Sequence, residues 1–379
     1  MTTTEYHENI FVDGSEFFAS LMHDINNAQH SIDMETYIFK GDKLGEEIAE
    51  ALIAAAHRQV KIRVLVDGAG SPIWGGSMTR RLEKAGIDTR IFHPFPWRIW
   101  HWSRSFISLP LLLKVIYLLL KINSRNHRKV CVIDESIVYI GSFNISTCHL
   151  KPEDGGQGWR DTGVRLENAN LEDLSMAFHA AWNHIPVSDR MKVIFRHFNK
   201  NPIIRLNNTW QRRRVLHKNL LRRITRCKDR IWITNAYFVP DNVLLKTLTE
   251  AAQKGIDVRI LLPRKSDVFV MPWASTTFYF NLLKSGVRIF EYLPNILHAK
   301  TLILDNWISV GSSNLNHRSL LHDLEVDVNL QLPASKNKIL KQFTHDLENS
   351  SEISLKNWHA RPLYQRLIGR LALYMKYWI

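Results

Sequence analysis

The sequence predicts an α/β fold made of two α/β/α sandwich repeats related by a pseudo-twofold axis. Three observations predict it. The chain has 379 residues, 45% hydrophobic and 23% charged, which is more core than one domain usually holds and too apolar for intrinsic disorder. Helical patterns, short turns and β-branched runs alternate along it, as expected of helices covering a buried sheet. The whole series also occurs twice.

The repeated units follow in order. "SIDMETYIF" at 31–39 reads as a strand and matches "DRIWITNAYFV" at 229–239, with Tyr37 and Tyr237 200 positions apart. "ALIAAAHRQVKIRVLVDG" then gives a helix, a turn and a strand, and parallels "TLTEAAQKGIDVRILLP", with Arg63 and Arg259 separated by 196. "LEKAGIDTRIF" parallels "LLKSGVRIFEY", aligning Arg90 with Arg288 at an offset of 198. "HRKVCVIDESIVYIGSFN" parallels "HAKTLILDNWISVGSSN", aligning His127 with His298 at an offset of 171. The fall from 198 to 171 leaves 27 residues present only in the first copy, between Phe92 and His127. The expected organisation is a first repeat over 1–195, with an apolar insertion at about 93–122, and a second over 196–379 ending in an amphipathic tail. Residues 183–214 have no counterpart and read as the connector.

The reactive groups sit in the last repeated unit. His127, Lys129 and Asp134 stand in the spacing HxKxxxxD, which recurs as His298, Lys300 and Asp305. Residues i and i+2 of a strand share a face, so each copy projects an imidazole and an ammonium together. A second apolar strand ends in Gly141-Ser142-Phe143-Asn144 and in Gly311-Ser312-Ser313-Asn314. The glycines would allow close backbone approach to a ligand, and Ser and Asn add neutral donors. Six residues separate Asp134 from Gly141 and five separate Asp305 from Gly311, so Asn306 competes with Asp305 for the turn. Asp161 in "WRDTG" and Glu325 in "LEVD" occupy comparable places downstream and are candidates to orient the histidines, paired across the halves. Arg318 is open to either phosphate support or helix capping. Cys131, Cys148 and Cys227 lie far apart without CxxC spacing, which argues against a disulfide framework and a thiolate metal site; no metal and no cofactor are expected.

These motifs resemble the paired HKD signatures of the phospholipase D superfamily. The resemblance extends through "METYIF", "LVDGAGSP", "WRDTGVRLE", "NAYFVP", "VGSSNLNHRSL" and "LEVDVNL". Within the superfamily the sequence is most similar to bacterial cardiolipin synthases of the short type without N-terminal transmembrane helices. The resemblance implies two sandwiches with the active site between them, and phosphodiester transfer through a phosphohistidine. It implies His127 as nucleophile and His298 as acid and base, or the reverse, with Asp134 and Asp305 completing the motif. Lys129, Lys300, Asn144, Asn314, Ser142 and Ser312 would hold the phosphate. The resemblance further implies a phosphatidyl group moved between phosphatidylglycerol molecules with release of glycerol. Phosphatidylethanolamine as donor is a variant; water as acceptor would make a hydrolytic phospholipase D.

The net charge of +14 calls for an anionic partner, either nucleic acid, acidic lipid or a phosphorylated substrate. The insertion separates them. A helix from Leu109 to Ile122 would be about 21 Å long, short of the roughly 30 Å hydrocarbon core. It carries Leu112, Ile116 and Leu119 on a wide apolar arc, with Lys114 and Lys121 reaching outward. Trp97, Trp100 and Trp102 precede it among basic residues and suit the headgroup layer, with base stacking as the rival account. Burial of this helix in the core is the competing structural reading. The expectation is therefore anionic phospholipid and a membrane surface as partners, without nucleic acid or an obligate protein partner. The alternatives are a nuclease acting on DNA and an inactive lipid-binding scaffold. The N-terminus shows no secretory signal, so the expected location is peripheral, on the cytoplasmic face of the cell membrane. The tail "LYQRLIGRLALYMKYWI" either docks there or packs, and "QRRRVLHKNLLRRITR" reads as an amphipathic core helix.

Overall fold

Seven strands build the first sheet: β1 (His7–Phe11), β2 (Ser31–Thr36), β3 (Lys61–Asp67), β4 (Asp88–Phe92), β5 (Val130–Ile133), β6 (Ile137–Gly141) and β7 (Gly163–Glu167), in the order β1-β7-β6-β5-β2-β3-β4. The second has β8 (Ile204–Leu206), β9 (Arg230–Thr234), β10 (Asp257–Pro263), β11 (Arg288–Tyr292), β12 (Thr301–Leu304), β13 (Trp307–Gly311), β14 (Val326–Asn329) and β15 (Ser350–Ile353), in the order β15-β11-β10-β9-β12-β13-β14-β8. Without the edge strand β15 the two orders are the same. In each sheet three strands run parallel, β2-β3-β4 and β9-β10-β11, and the rest pair antiparallel. A computed structural model of the chain describes residues 5–105, 107, 109–183 and 202–374; the expected boundary near 195 and most of the connector lie outside these residues.

The first copy carries helices α1 (Gly14–Asn27), α2 (Lys43–His57), α3 (Ser77–Lys84), α4 (Leu111–Leu120) and α5 (Glu172–Asn183). The second carries α6 (Trp210–Arg226), α7 (Asn242–Gln253), α8 (Met271–Thr276), α9 (Tyr279–Lys284), α10 (His317–Leu321), α11 (Pro333–Glu348), α12 (Leu355–His359) and α13 (Leu363–Tyr374). Asp13, Asp42, Thr209 and Asp241 cap α1, α2, α6 and α7 by accepting a backbone N–H, each cap worth about 1 kcal/mol. Phe18, Leu21 and Ile25 of α1 and Leu44, Ile48 and Leu52 of α2 close the outer face of the first sheet. Leu220, Ile224, Leu244 and Leu248 do the same for the second, so the basic run in α6 rests on a packed apolar stripe. On the inner side the sheets share one core, in which Val130, Ile140 and Val164 meet Ile303, Val310 and Val326. Helices α5 and α11 cover the remainder of that side, which completes a sandwich in each copy.

The insertion folds as a 3-10 turn at Ile99–Arg104 followed by α4. Helix α4 is shorter than the expected 109–122 because Pro110 sets its start and the last turn tightens at Lys121; Ser108 lies outside the described residues. Only Leu118 of α4 is buried, at 1% exposure, while Leu112 is 71% exposed and Leu111, Leu113, Ile116, Leu119 and Leu120 are also exposed. This overturns the core-helix reading. Trp97 and Trp100 are exposed as well. Two expectations are corrected. Lys114 does not reach outward: its Nζ lies 5.5 Å from the Trp102 ring and donates to the Trp102 carbonyl at 3.4 Å. Trp102 is therefore half covered by the protein itself. The tail both packs and exposes apolar groups: α13 buries Ala372 near Met271 and Ala274 of α8 and leaves Tyr364, Leu367 and Leu371 exposed.

Candidate active site

The two HxK segments lie immediately before β5 and β12 rather than within a strand as expected; they enter the cleft between the copies, and each is fastened by the other copy. The His127 N–H donates to Leu324 O at 3.0 Å, and the His298 N–H donates to Arg160 O at 2.8 Å. Short bridges pair Asn126 with Leu324 and Arg160 with Leu297. These exchanges bring Glu325 of the second copy to His127, with Nδ1 3.0 Å from both carboxylate oxygens. They bring Asp161 of the first copy to His298, with Nδ1 2.8 Å from Oδ1. Both imidazoles thus have Nδ1 held by a buried carboxylate, and Nε2 is the nitrogen left for chemistry. Lys129 Nζ donates to His127 O at 2.6 Å and Lys300 Nζ to His298 O at 2.5 Å. Each ammonium also stands over a tyrosine ring, at 5.3 Å for Tyr37 and 5.9 Å for Tyr237.

The electrostatics follow from burying so many cations together. Burial and the neighbouring Lys129 and Lys300 push His127 well below its ordinary value. Burial and Lys300 also lower His298, but Asp161 works against them. The two lysines are depressed by burial to about 7 for Lys129 and about 8 for Lys300. Burial lifts Glu325, with Lys129 opposing. Burial would lift Asp161 too, yet His298 and His149 hold it well below the usual carboxylate range.

His149 was missed in the sequence. Its Nδ1 lies 2.8 Å from Asp161 Oδ2, so one carboxylate clamps two histidines. Burial alone would lower His149, but Asp161 raises it to about 9. In the second copy Ser319 stands in the same place: it donates to Glu325 at 2.6 Å, and Ser312 donates to the other carboxylate oxygen. The available signal was position, since His149 and Ser319 each fall five residues after the motif asparagine, and His149 Nε2 and Ser319 Oγ lie 3.3 and 3.2 Å from the Asn144 and Asn314 backbone nitrogens. Asn207 was also missed; its Oδ1 accepts the Glu325 N–H at 2.6 Å.

Several sequence assignments change. Asp134 and Asp305 complete the motif by resemblance and enter the catalytic set only on that ground; their odd spacing from the histidines already points to a turn role, and they lie at the far ends of β5 and β12 from the histidines. Each accepts three backbone N–H groups, from Gln29, His30 and Ser31 and from Lys228, Asp229 and Arg230. Both adopt positive φ, 49° and 52°, which Asp tolerates at turns. The extra residue after Asp134 is a longer hairpin loop: Ile133 pairs with Ile137, whereas Leu304 pairs with Trp307. Ser142 does not face a phosphate; its hydroxyl exchanges hydrogen bonds with the Thr162 backbone. Ser312 is likewise committed to Glu325 and the Val326 backbone. Gly141 serves strand packing rather than ligand approach, since a Cβ there would fall 2.6 Å from the Gly163 Cα. Asn144 Oδ1 accepts the Ile38 N–H at 3.3 Å, leaving Nδ2 as its donor, and the Asn314 Oδ1 is buried without a partner among the described residues. Arg318 caps no helix, a role filled by Asn316, and pairs with Asp323 at 3.3 Å.

One asymmetry has no counterpart in the second copy. Arg128, buried, meets Glu35 at 3.1 Å, and the Asn126 N–H donates to Asp67 at 2.9 Å. The aligned positions are Ala299, Asn235, Leu297 and Pro263. A buried charged brace therefore holds the strand leading to His127 alone.

Comparison with known proteins gives the same outline. Residues 21–154 and 220–347 match the family described as "Cardiolipin synthase, PLD-like domain". A cardiolipin synthase of Alkalihalophilus pseudofirmus is 31% identical over 374 residues, covering 95% of this chain and 69% of that protein. Cardiolipin synthase 2 of Bacillus anthracis is 32% identical over 366 residues, covering 94% and 67%. Among solved structures, phosphatidylserine synthase of Haemophilus influenzae Rd KW20 shares the fold with a TM-score of 0.70 at 13% identity, over 97% of this chain and 92% of that one.

Proposed function

The chain belongs to the phospholipase D-like cardiolipin synthase family, and on that premise we propose that it is a phosphatidyltransferase that joins two phosphatidylglycerol molecules. His127 Nε2 attacks phosphorus of the first, the bond to the glycerol oxygen breaks, and His298 Nε2–H supplies the proton with which glycerol leaves. A hydroxyl of the second phosphatidylglycerol then gives its proton to His298 and attacks the phosphohistidine, returning His127 and yielding cardiolipin. The carrying observation is the pair of histidines, each with Nδ1 held by a carboxylate from the other copy. The asymmetry between the two histidines supports this division of roles. His127, driven well below its ordinary value, is the neutral nucleophile, and His298, supported by firmly anionic Asp161, is the proton carrier. Lys129, Lys300, Asn144 and Asn314 take the nonbridging oxygens, where such donors are worth roughly 3–4 kcal/mol each. Asp161 and Glu325 position the imidazoles.

Exposure of α4, Trp97 and Trp100 favours lipid over nucleic acid as substrate. No helix among the described residues is long and apolar enough to cross a membrane; the exposed apolar face of α4 is the feature that supports work at the membrane surface, here assigned to the cytoplasmic face of the cell membrane. The loops after β3 and β10 add one exposed apolar tip from each copy, Ile73 and Phe269. The test is phosphatidylglycerol in mixed micelles, with products followed by mass spectrometry beside His127→Ala and a DNA cleavage assay. Cardiolipin with equimolar glycerol is expected. Phosphatidic acid alone would make the protein a hydrolase, and DNA cleavage lost in the variant would make it a nuclease.

A further inference from the structure

The loop after β10 places a carboxylate against Tyr237, the tyrosine next to the proton-carrying histidine, and the loop after β3 has no such residue at the aligned position. Tyr237 Oη donates to Asp267, with both carboxylate oxygens at 2.7 Å, and the Tyr237 ring is centred 6.1 Å from the His298 ring. Asp267 is exposed; its Oδ1 also accepts the Ser266 hydroxyl at 3.2 Å, and a carboxylate with these two donors still has acceptor capacity for a ligand. At the aligned position of the first copy stands Ser71, which is buried and already committed: its hydroxyl donates to Tyr37 O at 3.1 Å and accepts the Phe39 N–H at 3.0 Å. Partial desolvation of its carboxylate group would raise Asp267 even though the residue as a whole is exposed, but His298, the Tyr237 hydrogen bond and Lys300 lower it, so it is anionic at neutral pH.

An anion here has no use in holding a phosphodiester, which it repels. It can accept hydrogen bonds from an alcohol. An ammonium group would also be drawn to it, but would enter a field set by Lys300, Lys129 and His298, whereas a neutral diol would not. Tyr237 has spent its proton on Asp267, so its oxygen can accept a second hydroxyl. Two acceptors, one charged and one neutral, therefore stand together within reach of His298.

We propose that Asp267 and Tyr237 form a hydroxyl-reading subsite that selects a glycerol-type diol as the alcohol exchanged at the phosphohistidine. The subsite rests on the phosphatidyltransferase reading above. A glycerol bound there donates one O–H to the carboxylate and a second to the Tyr237 oxygen while its third oxygen, the one exchanged at phosphorus, is presented to His298; a second phosphatidylglycerol, with one head-group hydroxyl reacting, keeps the other for the carboxylate.

The test is competition in one tube. Full-length protein in phosphatidylglycerol mixed micelles is given 13C-labelled glycerol and propan-1-ol in equal amounts, and labelled phosphatidylglycerol is measured against phosphatidylpropanol. Because both alcohols compete for one intermediate, loss of overall rate or of folded protein cancels in the ratio. Asp267→Ala should lower the glycerol-to-propanol ratio about tenfold, the scale of a hydrogen bond to a charged group, and Tyr237→Phe should lower it about threefold. A ratio unchanged within about twofold would overturn the subsite. So would a third arm with ethanolamine in which Asp267→Ala lowers capture of the amine and not of glycerol. Cardiolipin is read in the same tube, so a wild type that captures alcohols but makes no cardiolipin would sink the synthase reading while still testing the subsite.

Discussion

Asp161→Asn is the most informative single change, because Asp161 holds His298 and His149 at once at 2.8 Å each. Asparagine keeps the shape and removes the charge. The interval between an ordinary histidine at 6.5 and His149 at about 9 corresponds to roughly 3 kcal/mol at 1.36 kcal/mol per pH unit. At His298, loss of a hydrogen bond to a charged partner, roughly 1.5–3 kcal/mol, predicts transfer slowed roughly 10- to 10²-fold. The pH dependence carries a sign that can be checked. A raised histidine stabilises the fold fully below 6.5, and the contribution is lost as pH rises through about 9. Asp161 also raises His298, Lys129 and Lys300, and each of these acts in the same direction. Thermal unfolding of both proteins from acid to alkaline pH should show the widest gap near pH 6, narrowing by pH 9–10. A gap constant across this range, or turnover within about threefold of wild type, would refute the reasoning.

Three further outcomes are expected. With a p-nitrophenyl leaving group, which departs without a proton donor, His298→Ala should still form the phosphoenzyme and His127→Ala should not; labelling of His127→Ala would reverse the roles. Because Lys129 and Lys300 lose their protons near 7 and 8, kcat/KM for the free enzyme should fall as pH rises through that range, and a flat profile to pH 9 would remove them from phosphate binding. Replacing Leu112, Ile116 and Leu119 together by Glu should weaken sedimentation with phosphatidylglycerol vesicles at least about 10²-fold, since each apolar side chain contributes roughly 1.5–3 kcal/mol on full burial; wild-type binding would clear α4 of a membrane role.

The repeated features were the ones readable in the sequence. Two copies of a strand-turn-strand unit expose their alignment at every residue, so the HxK pairs, the twofold repeat and the 27-residue insertion emerge from offsets alone, whereas the strand order within each sheet does not. What the sequence hid depends on contacts between the copies or on hydrogen bonds already made. Ser142 and Ser312 look like free donors until their backbone partners are known. His149 looks like a loop residue until the hairpin folds it onto Asp161, and Lys114 looks exposed until Trp102 packs beneath it. The edge strand β15 had no matching segment to reveal it.

The crossed carboxylates bind the two copies into one fate. After duplication, similar halves are free to diverge only where neither depends on the other, and here each lacks the group that aims its own histidine. A split chain would therefore consist of two inert pieces able to restore one another on mixing. A substitution at Glu325 or Asp161 disturbs the motif histidine of the half that does not contain it, so selection on either half is always, in part, selection on its twin.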